Sequence, residues 1–321
     1  NNDDITIFII KKQTDSNHME TFYSTDADYG FNYLEVTHWD NIEITFTYFN
    51  EYATGIDYFV SAVEMNSNDF DLYTVKLDAT NNTQDSYKNG VKDTANDNAK
   101  EKMTHDIVAK TVSNYLIGTR PDRTHTLDGE IAELIIFSQS LEESEIFEVH
   151  NYLSEKWGLT SLIDSDGDGT VDANDSDADG DGVDDSASDS SSDSDATSNN
   201  LTVTSGLSLH LDASNVDGSN NSTLSNGDTI GVWKDLSGNQ DDAIQSISNK
   251  RPQLLGDQLN NKPVIKFDGS NDYFEGDYST AFNNDDITIF IIKKQTDSNH
   301  METFYSTDAD YGFNYLEVTH W

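Results

Sequence analysis

Of 321 residues, 60 are Asp or Glu and 18 are Lys or Arg, giving a net charge of −42, and there is no cysteine. Such a chain repels nucleic acid and anionic membrane surfaces, and it can build neither a disulfide framework nor a thiolate metal site. No apolar run approaches the roughly 20 residues of a membrane span, since the best, ITIFII, has the length of a strand.

In chain order, strand-like runs come first: ITIFIIKK (5–12), METFYST (19–25), FNYLEVTHW (31–39), IEITFTYF (42–49), DYFVSAVEM (57–65) and DLYTVKLD (71–78). Many alternate polar with apolar or aromatic residues, and Asn, Asp and Gly separate them, the pattern of antiparallel sheets packed in a sandwich. YKNGVK (87–92) places Asn-Gly between strand-compatible residues, which predicts a tight hairpin. Two more runs follow, HDIVAKTVSNYLIG (105–118) and GEIAELIIFS (129–138). The spacing then changes to that of a helix over 141–157, with Ile146, Val149, Leu153 and Trp157 on one stripe. Ser140 with Glu143 predicts a capping box at its start, and Gly158 predicts its stop. Trp157 is expected to anchor this helix in the core.

From Asp164 to Asp195 the chain carries thirteen Asp and no Lys, Arg or aromatic residue. A stretch of this kind cannot bury apolar surface, so 163–200 is predicted to be a linker that stays an extended coil unless something binds it. Within it, Asp164, Asp166, Asp168, Gly169, Thr170, Asp172 and Asp175 fall at positions 1, 3, 5, 6, 7, 9 and 12 of a calcium loop. Alternate carboxylates aim at one centre, the glycine allows the bend, and the residue at position 7 offers its carbonyl. A weaker second loop offers Asp177, Asp179, Asp181, Val183 and Asp185, with Ser188 at its position 12. Thirteen carboxylates lie mostly within one Debye length, about 8–10 Å in physiological salt, so Ca²⁺ would relieve their repulsion and stiffen the segment. Position 12 of the first loop is Asp rather than a bidentate Glu, and no long helices flank it. In both respects it resembles the short stacked loops of thrombospondin type 3 repeats.

The last block, 201–321, ends on words already read. Residues 283–321 repeat 1–39 at all 39 positions, an offset of 282. Packing constrains only core and turn residues, so identity at exposed Asn, Asp and Ser points to tandem duplication. In that frame 1–162 is the C-terminal two-thirds of one copy, and 201–321 is the N-terminal half of the next.

LSLHLDASNVDG (207–218), GVWKDLSGNQDDA (231–243), KPVIKFDGSNDYF (262–274) and GEIAELIIFSQSLEESEIFEVHNYLSEKWGL (129–159) resemble bacterial laminin-G-like domains of the concanavalin A-like superfamily. The resemblance implies an all-β, antiparallel jelly-roll β-sandwich with one C-terminal helix and with its first and last strands adjacent. It also implies a secreted or bacterial cell-surface protein. Glucan-cleaving members of the superfamily carry a Glu-x-Asp-x-x-Glu strand, whereas the nearest stretch here, Glu275-Gly-Asp277, lacks the second Glu. The histidines at 18, 38, 105, 125, 150 and 210 show no ligand spacing and are expected on surfaces or strands. No catalytic residues, and no enzyme, are therefore expected. The leading expectation is a structural repeat of a giant extracellular attachment fibre, with neighbouring copies as partners and Ca²⁺ as cofactor. The alternative is a lectin-like module for cell-surface glycans, with Asn271–Tyr273 and Trp233–Asp235 as rim candidates.

Overall fold

The computed structural model describes residues 69–78, 81, 83–92, 110–119, 126–184, 200–284 and 288–295. It also describes strands at 5–6, 20–24, 34–39, 43–48, 57–61, 302–306 and 317–320. Every strand pairing is antiparallel, and one α-helix, Glu143–Trp157, stands among the described residues, so the fold is all-β as expected. No helix among these residues is long and apolar enough to cross a membrane.

The strand Asp128–Phe137 is the centre of the largest sheet. Along one edge it pairs throughout with Thr288–Gln295, whose other edge carries Asp71–Asp78 and then Thr83–Lys88 and Val91–Lys92. Its opposite edge is shared: Lys262–Asp268 takes the first half and Leu207–Asp212 the second. Strands from before and after the Asp-rich segment therefore lie in one sheet. Both expected blocks, 1–162 and 201–321, contribute strands to it.

A second sheet runs Val232–Trp233, Ala243–Ile244, Phe274–Asn284, Lys110–Ile117, Glu302–Ser306 and Glu317–His320. A third joins Glu20–Ser24, Leu34–Trp39, Glu43–Tyr48 and Asp57–Ser61. The expected runs at 19–25, 31–39, 42–49 and 57–65 thus all contain strands. Of the run 5–12 only Ile5–Thr6 is described, and 105–109 likewise lies outside the described residues.

The central strand is buried on both faces, so after its first residue it reads as an apolar run interrupted by two buried acids, Glu130 and Glu133. One face meets the shared core, to which Tyr115, Ile117 and Phe274 of the second sheet contribute; the other lies under the helix. The helix begins two residues later than the expected capping box. Glu142 is the N-cap, and its N–H donates to the Glu145 carboxylate at 2.8 Å. The shift follows from packing: Leu141 and Ile146 are both fully buried, the positions of a hydrophobic staple that draws Leu141 inward ahead of the first turn. At the other end Gly158 adopts φ +64, which lets the N–H of Leu159 reach the Ser154 carbonyl at 2.8 Å.

Trp157 is buried as expected, but its indole is not wholly apolar in company. Its Nε1–H donates to Glu133 at 2.6 Å, and Glu133 also accepts from Tyr152, Lys156 and His210. Lys156 is held on its other side by Asp212 at 2.8 Å. Glu133, Tyr152, Lys156 and Trp157 precede the Asp-rich segment, whereas His210 and Asp212 follow it. A water-excluded polar network therefore fastens the two blocks to each other.

Candidate metal centre

The Asp-rich segment is no extended coil where it is described. From Ile163 to Asp184 it folds back on the body of the protein. Its seat is the predicted hairpin. Asn89 and Gly90 both take positive φ, +50 and +87, as a two-residue type I′ turn requires. Asn89 is tied down by four contacts: its N–H donates to the Leu72 carbonyl at 2.7 Å, its carboxamide accepts from the Leu72 N–H at 2.8 Å and donates to Asp71 at 2.8 Å, and its carbonyl accepts from the Asp164 N–H at 3.0 Å. A Cβ on Gly90 would stand 1.7 Å from the Asp164 carbonyl oxygen, so the segment packs directly on bare glycine backbone.

The helix supplies the second anchor. His150 is buried in it, neither on a surface nor on a strand. Its Nδ1 donates to the Ser165 carbonyl at 3.2 Å, and its Nε2 accepts from the Thr74 hydroxyl at 2.7 Å. Burial depresses the imidazole to a pKa of about 4, only partly offset by the Ser165 carbonyl, so the ring is neutral at physiological pH. These contacts explain why the helix is buried well beyond its apolar stripe: the sheet covers one side and the Asp-rich segment another.

On this platform the carboxylates of Asp164, Asp166 and Asp168 converge, with one oxygen of each within 4.8 Å of the others. Asp164 is 5% exposed; its Oδ2 accepts the Gly169 N–H at 3.0 Å, while its Oδ1 is buried with no partner. A buried carboxylate oxygen left without a partner costs about 1–3 kcal/mol or more. The Asp166 carboxyl is held above its ordinary pKa, first by desolvation and then by repulsion from Asp168, Asp175 and Asp164, against the pull of the Asp168 N–H. A hard cation answers both demands. An all-oxygen donor set without His or Cys suits calcium or magnesium rather than zinc or copper.

The remaining expected ligands divide. Asp172 turns away from the triad: Ser165 donates to it from its N–H at 2.8 Å and its hydroxyl at 2.9 Å, and burial lifts its carboxyl to about 6. It positions the loop. Asp175 accepts the Asp177 N–H at 3.0 Å and stands outside the triad, as a hinge between the loops. Thr170 donates its N–H to Asp168 at 2.7 Å.

The second loop repeats the first thirteen residues later. Asp177, Asp179 and Asp181 form a second triad, Gly182 donates to Asp177 as Gly169 does to Asp164, and Val183 donates to Asp181 as Thr170 does to Asp168. Gly180 packs on Asp166, since a Cβ there would meet the Asp166 side chain at 2.9 Å. Asp185 lies outside the described residues. The second triad is the more exposed, and none of its carboxylate oxygens is both buried and unpartnered.

The residues that seat the site, Asn89, Gly90, His150 and Ser165, carried no metal signal in the sequence; only the Asn-Gly turn was visible. Three of the six glycan-rim candidates are buried. Trp233 is fully buried with its Nε1–H on the Asp212 carbonyl at 3.0 Å, and Asp272 and Tyr273 are buried as well. Asp235 serves as a turn acceptor for the N–H groups of His210, Ser237 and Asp241. No protein-family model, curated protein or solved structure matches this chain.

Proposed function

We propose that the chain is a period of an extracellular structural repeat protein, a bead of an attachment fibre braced internally by calcium. The observation that carries the calcium reading is Asp164: a buried carboxylate with an unpartnered oxygen, aimed into a cluster with Asp166 and Asp168. The perfect 39-residue duplication supports the repeat, and the laminin-G-like resemblance supports a jelly-roll bead at a bacterial surface. The thrombospondin-like loops then act as a clasp. They seat on the Asn89–Gly90 hairpin and on His150 of the helix, and so brace the bead from within.

A structural role asks for shape, charge and mechanical continuity, and the chain offers all three. Its high negative charge keeps neighbouring beads soluble at high local density, and the clasp closes the only long acidic excursion described. Burial of Trp233 and Tyr273 favours the structural reading over the lectin-like alternative, for which both were rim candidates. The test is to image native material at low resolution and to follow melting of the purified chain with and without millimolar calcium. A fibre with a regular axial repeat and a calcium-raised melting temperature are the expected results. Isolated monomers would overturn the fibre, and a melting temperature indifferent to calcium would overturn the clasp.

A further inference from the structure

Lys156 is the one buried lysine among the described residues. Its Nζ lies 2.8 Å from Oδ2 of Asp212 and 2.8 Å from Oε2 of Glu133, and the three side chains are 6%, 7% and 0% exposed. Glu133 and Asp212 stand directly opposite each other on neighbouring strands, so both carboxylates reach the same nitrogen. The ring centroids of Tyr152 and Trp157, 5.0 Å and 5.7 Å from Nζ, help to screen it from water. The other oxygen of Asp212 is occupied as well: Oδ1 accepts both the N–H and the hydroxyl of Ser214, each at 2.7 Å. Desolvation works against the Lys156 charge, but Glu133 and Asp212 outweigh it and hold the ammonium above its ordinary pKa, so the trio starts out ionic. An ionic trio in a dry site carries the desolvation cost of its charges, whereas an amide in place of the Lys156–Asp212 pair carries none.

We propose that Lys156 and Asp212 condense into an isopeptide bond, with Glu133 carrying protons between them. Glu133 takes one proton from the ammonium and hands it to Oδ2 of Asp212, leaving a neutral amine beside a neutral carboxyl. The lone pair of Nζ attacks Cγ, and the π electrons of the carbonyl move onto Oδ1, where the two Ser214 donors stabilise the developing charge. Glu133 then takes a second proton from Nζ and delivers it to Oδ2. The Cγ–Oδ2 bond breaks, water leaves, and the electron pair on Oδ1 restores the carbonyl. One ammonium and one carboxylate have become one amide and one water, and Glu133 ends as it began. Nucleophile, carboxyl and proton carrier are held in contact by the fold, which removes the entropic part of the barrier. The bond joins residues 56 positions apart, one on each side of the Asp-rich segment. Tension along the chain then passes through the amide and bypasses both acidic loops. That suits a load-bearing bead, although the chemistry depends on neither the fibre nor the calcium.

The test is the mass of the full chain, kept folded at neutral pH in chelator and then denatured, so that calcium plays no part. The expected mass is that of the sequence less one water. Proteolysis is expected to release a branched fragment in which the peptide bearing Lys156 is joined to the peptide bearing Asp212. The unchanged sequence mass would overturn the bond. So would a missing water traced to a cyclic imide at an Asp-Gly pair such as Asp166–Gly167, which leaves every fragment unbranched. Glu133→Gln removes the proton carrier and keeps its shape. It is expected to retain its own sequence mass after the same incubation, a slowing of at least about a hundredfold. A folded Glu133→Gln chain that condensed as completely as wild type would overturn the role of Glu133, and the wild-type mass decides the bond whether or not that variant folds. A branched fragment from a protein whose native material shows no fibre would support the bond while overturning the fibre.

Discussion

Glu133 and Lys156 meet at 2.8 Å inside the protein, their side chains 0% and 6% exposed. The pair belongs to a network that also takes in Asp212 and His210 from beyond the Asp-rich segment. Burial alone would push the Glu133 carboxyl up, but the charge of Lys156 and the hydrogen bond and charge of His210 bring it down to about 2. Replacing Lys156 by Met removes the ammonium that bridges the two buried carboxylates of Glu133 and Asp212. Loss of one partner of a buried pair typically costs about 3–5 kcal/mol. Lys156→Met is therefore expected to lower the unfolding free energy by that amount, seen as a lower urea midpoint at an unchanged slope, because the same surface is exposed on unfolding.

The network also sets the response to acid. Glu133 titrates lower in the folded protein than in the unfolded chain, so its contribution is complete above the ordinary Glu value. It is lost as pH falls through the interval from about 4.5 to about 2. His150 acts at higher pH. Its folded value is about 4 against an ordinary 6.5, so the unfolded chain binds the proton first. Its contribution is intact above about 6.5 and is lost as pH drops towards 4, in total about 3 kcal/mol at 1.36 kcal/mol per unit. Asp172 and Asp272, both raised to about 6 with burial the leading cause, oppose this, because their protonation favours the folded state. A single melting profile would therefore mix the two signs. The difference between wild type and His150→Gln, measured from pH 7 to pH 4, isolates the histidine, and the variant should lose less stability over that interval.

Much of this architecture was legible in the chain. The Asn-Gly turn, the helix stripe, the alternating strands and the carboxylate spacing of both loops are local patterns, and local chemistry decides them. What the sequence hides is long-range pairing. Nothing near Glu133 indicates that His210, 77 positions away, will bond to it at 2.6 Å. Nothing in the acidic stretch indicates that it will settle on Gly90. The extended coil expected there follows from composition alone, which ignores the few backbone contacts, Asp164 to Asn89 and Ser165 to His150, that give the loops a seat. The helix cap moved for a similar reason: burial of Leu141 outweighed the local Ser140–Glu143 pattern.

Two glycines separate seating from bending. Gly90 and Gly169 both have positive φ, +87 and +102, so alanine at either incurs backbone strain of about 1 kcal/mol. They differ in surroundings. A Cβ at Gly90 would stand 1.7 Å from the Asp164 carbonyl oxygen, whereas at Gly169 no atom lies within 4 Å. Gly90→Ala must therefore push the first loop off the hairpin. It is expected to destabilise the chain by about 2–4 kcal/mol, in the range of overpacked sites, and to weaken calcium binding at least tenfold. Gly169→Ala should cost only the strain. Denaturation together with calcium titration by calorimetry compares the two, and equal costs would mean that the loop does not rest on the hairpin.

The sharpest test of the metal centre is Asp164 itself. Asparagine keeps the volume and can still accept the Gly169 N–H, but it removes the charge from the one buried oxygen without a partner. If calcium binds only the folded chain, saturation at about a hundred times the dissociation constant stabilises by about 2.7 kcal/mol. Wild type is expected to show that rise on calcium addition. Asp164→Asn is expected to lose most of it while being no less stable than wild type in chelator, since repulsion within the triad is relieved. Asp181→Asn, in the more exposed second triad, should retain most of the rise. If both variants kept the full calcium response, the cation would be bound elsewhere on this acidic surface, and the convergence of Asp164, Asp166 and Asp168 would be a feature of the loop fold alone.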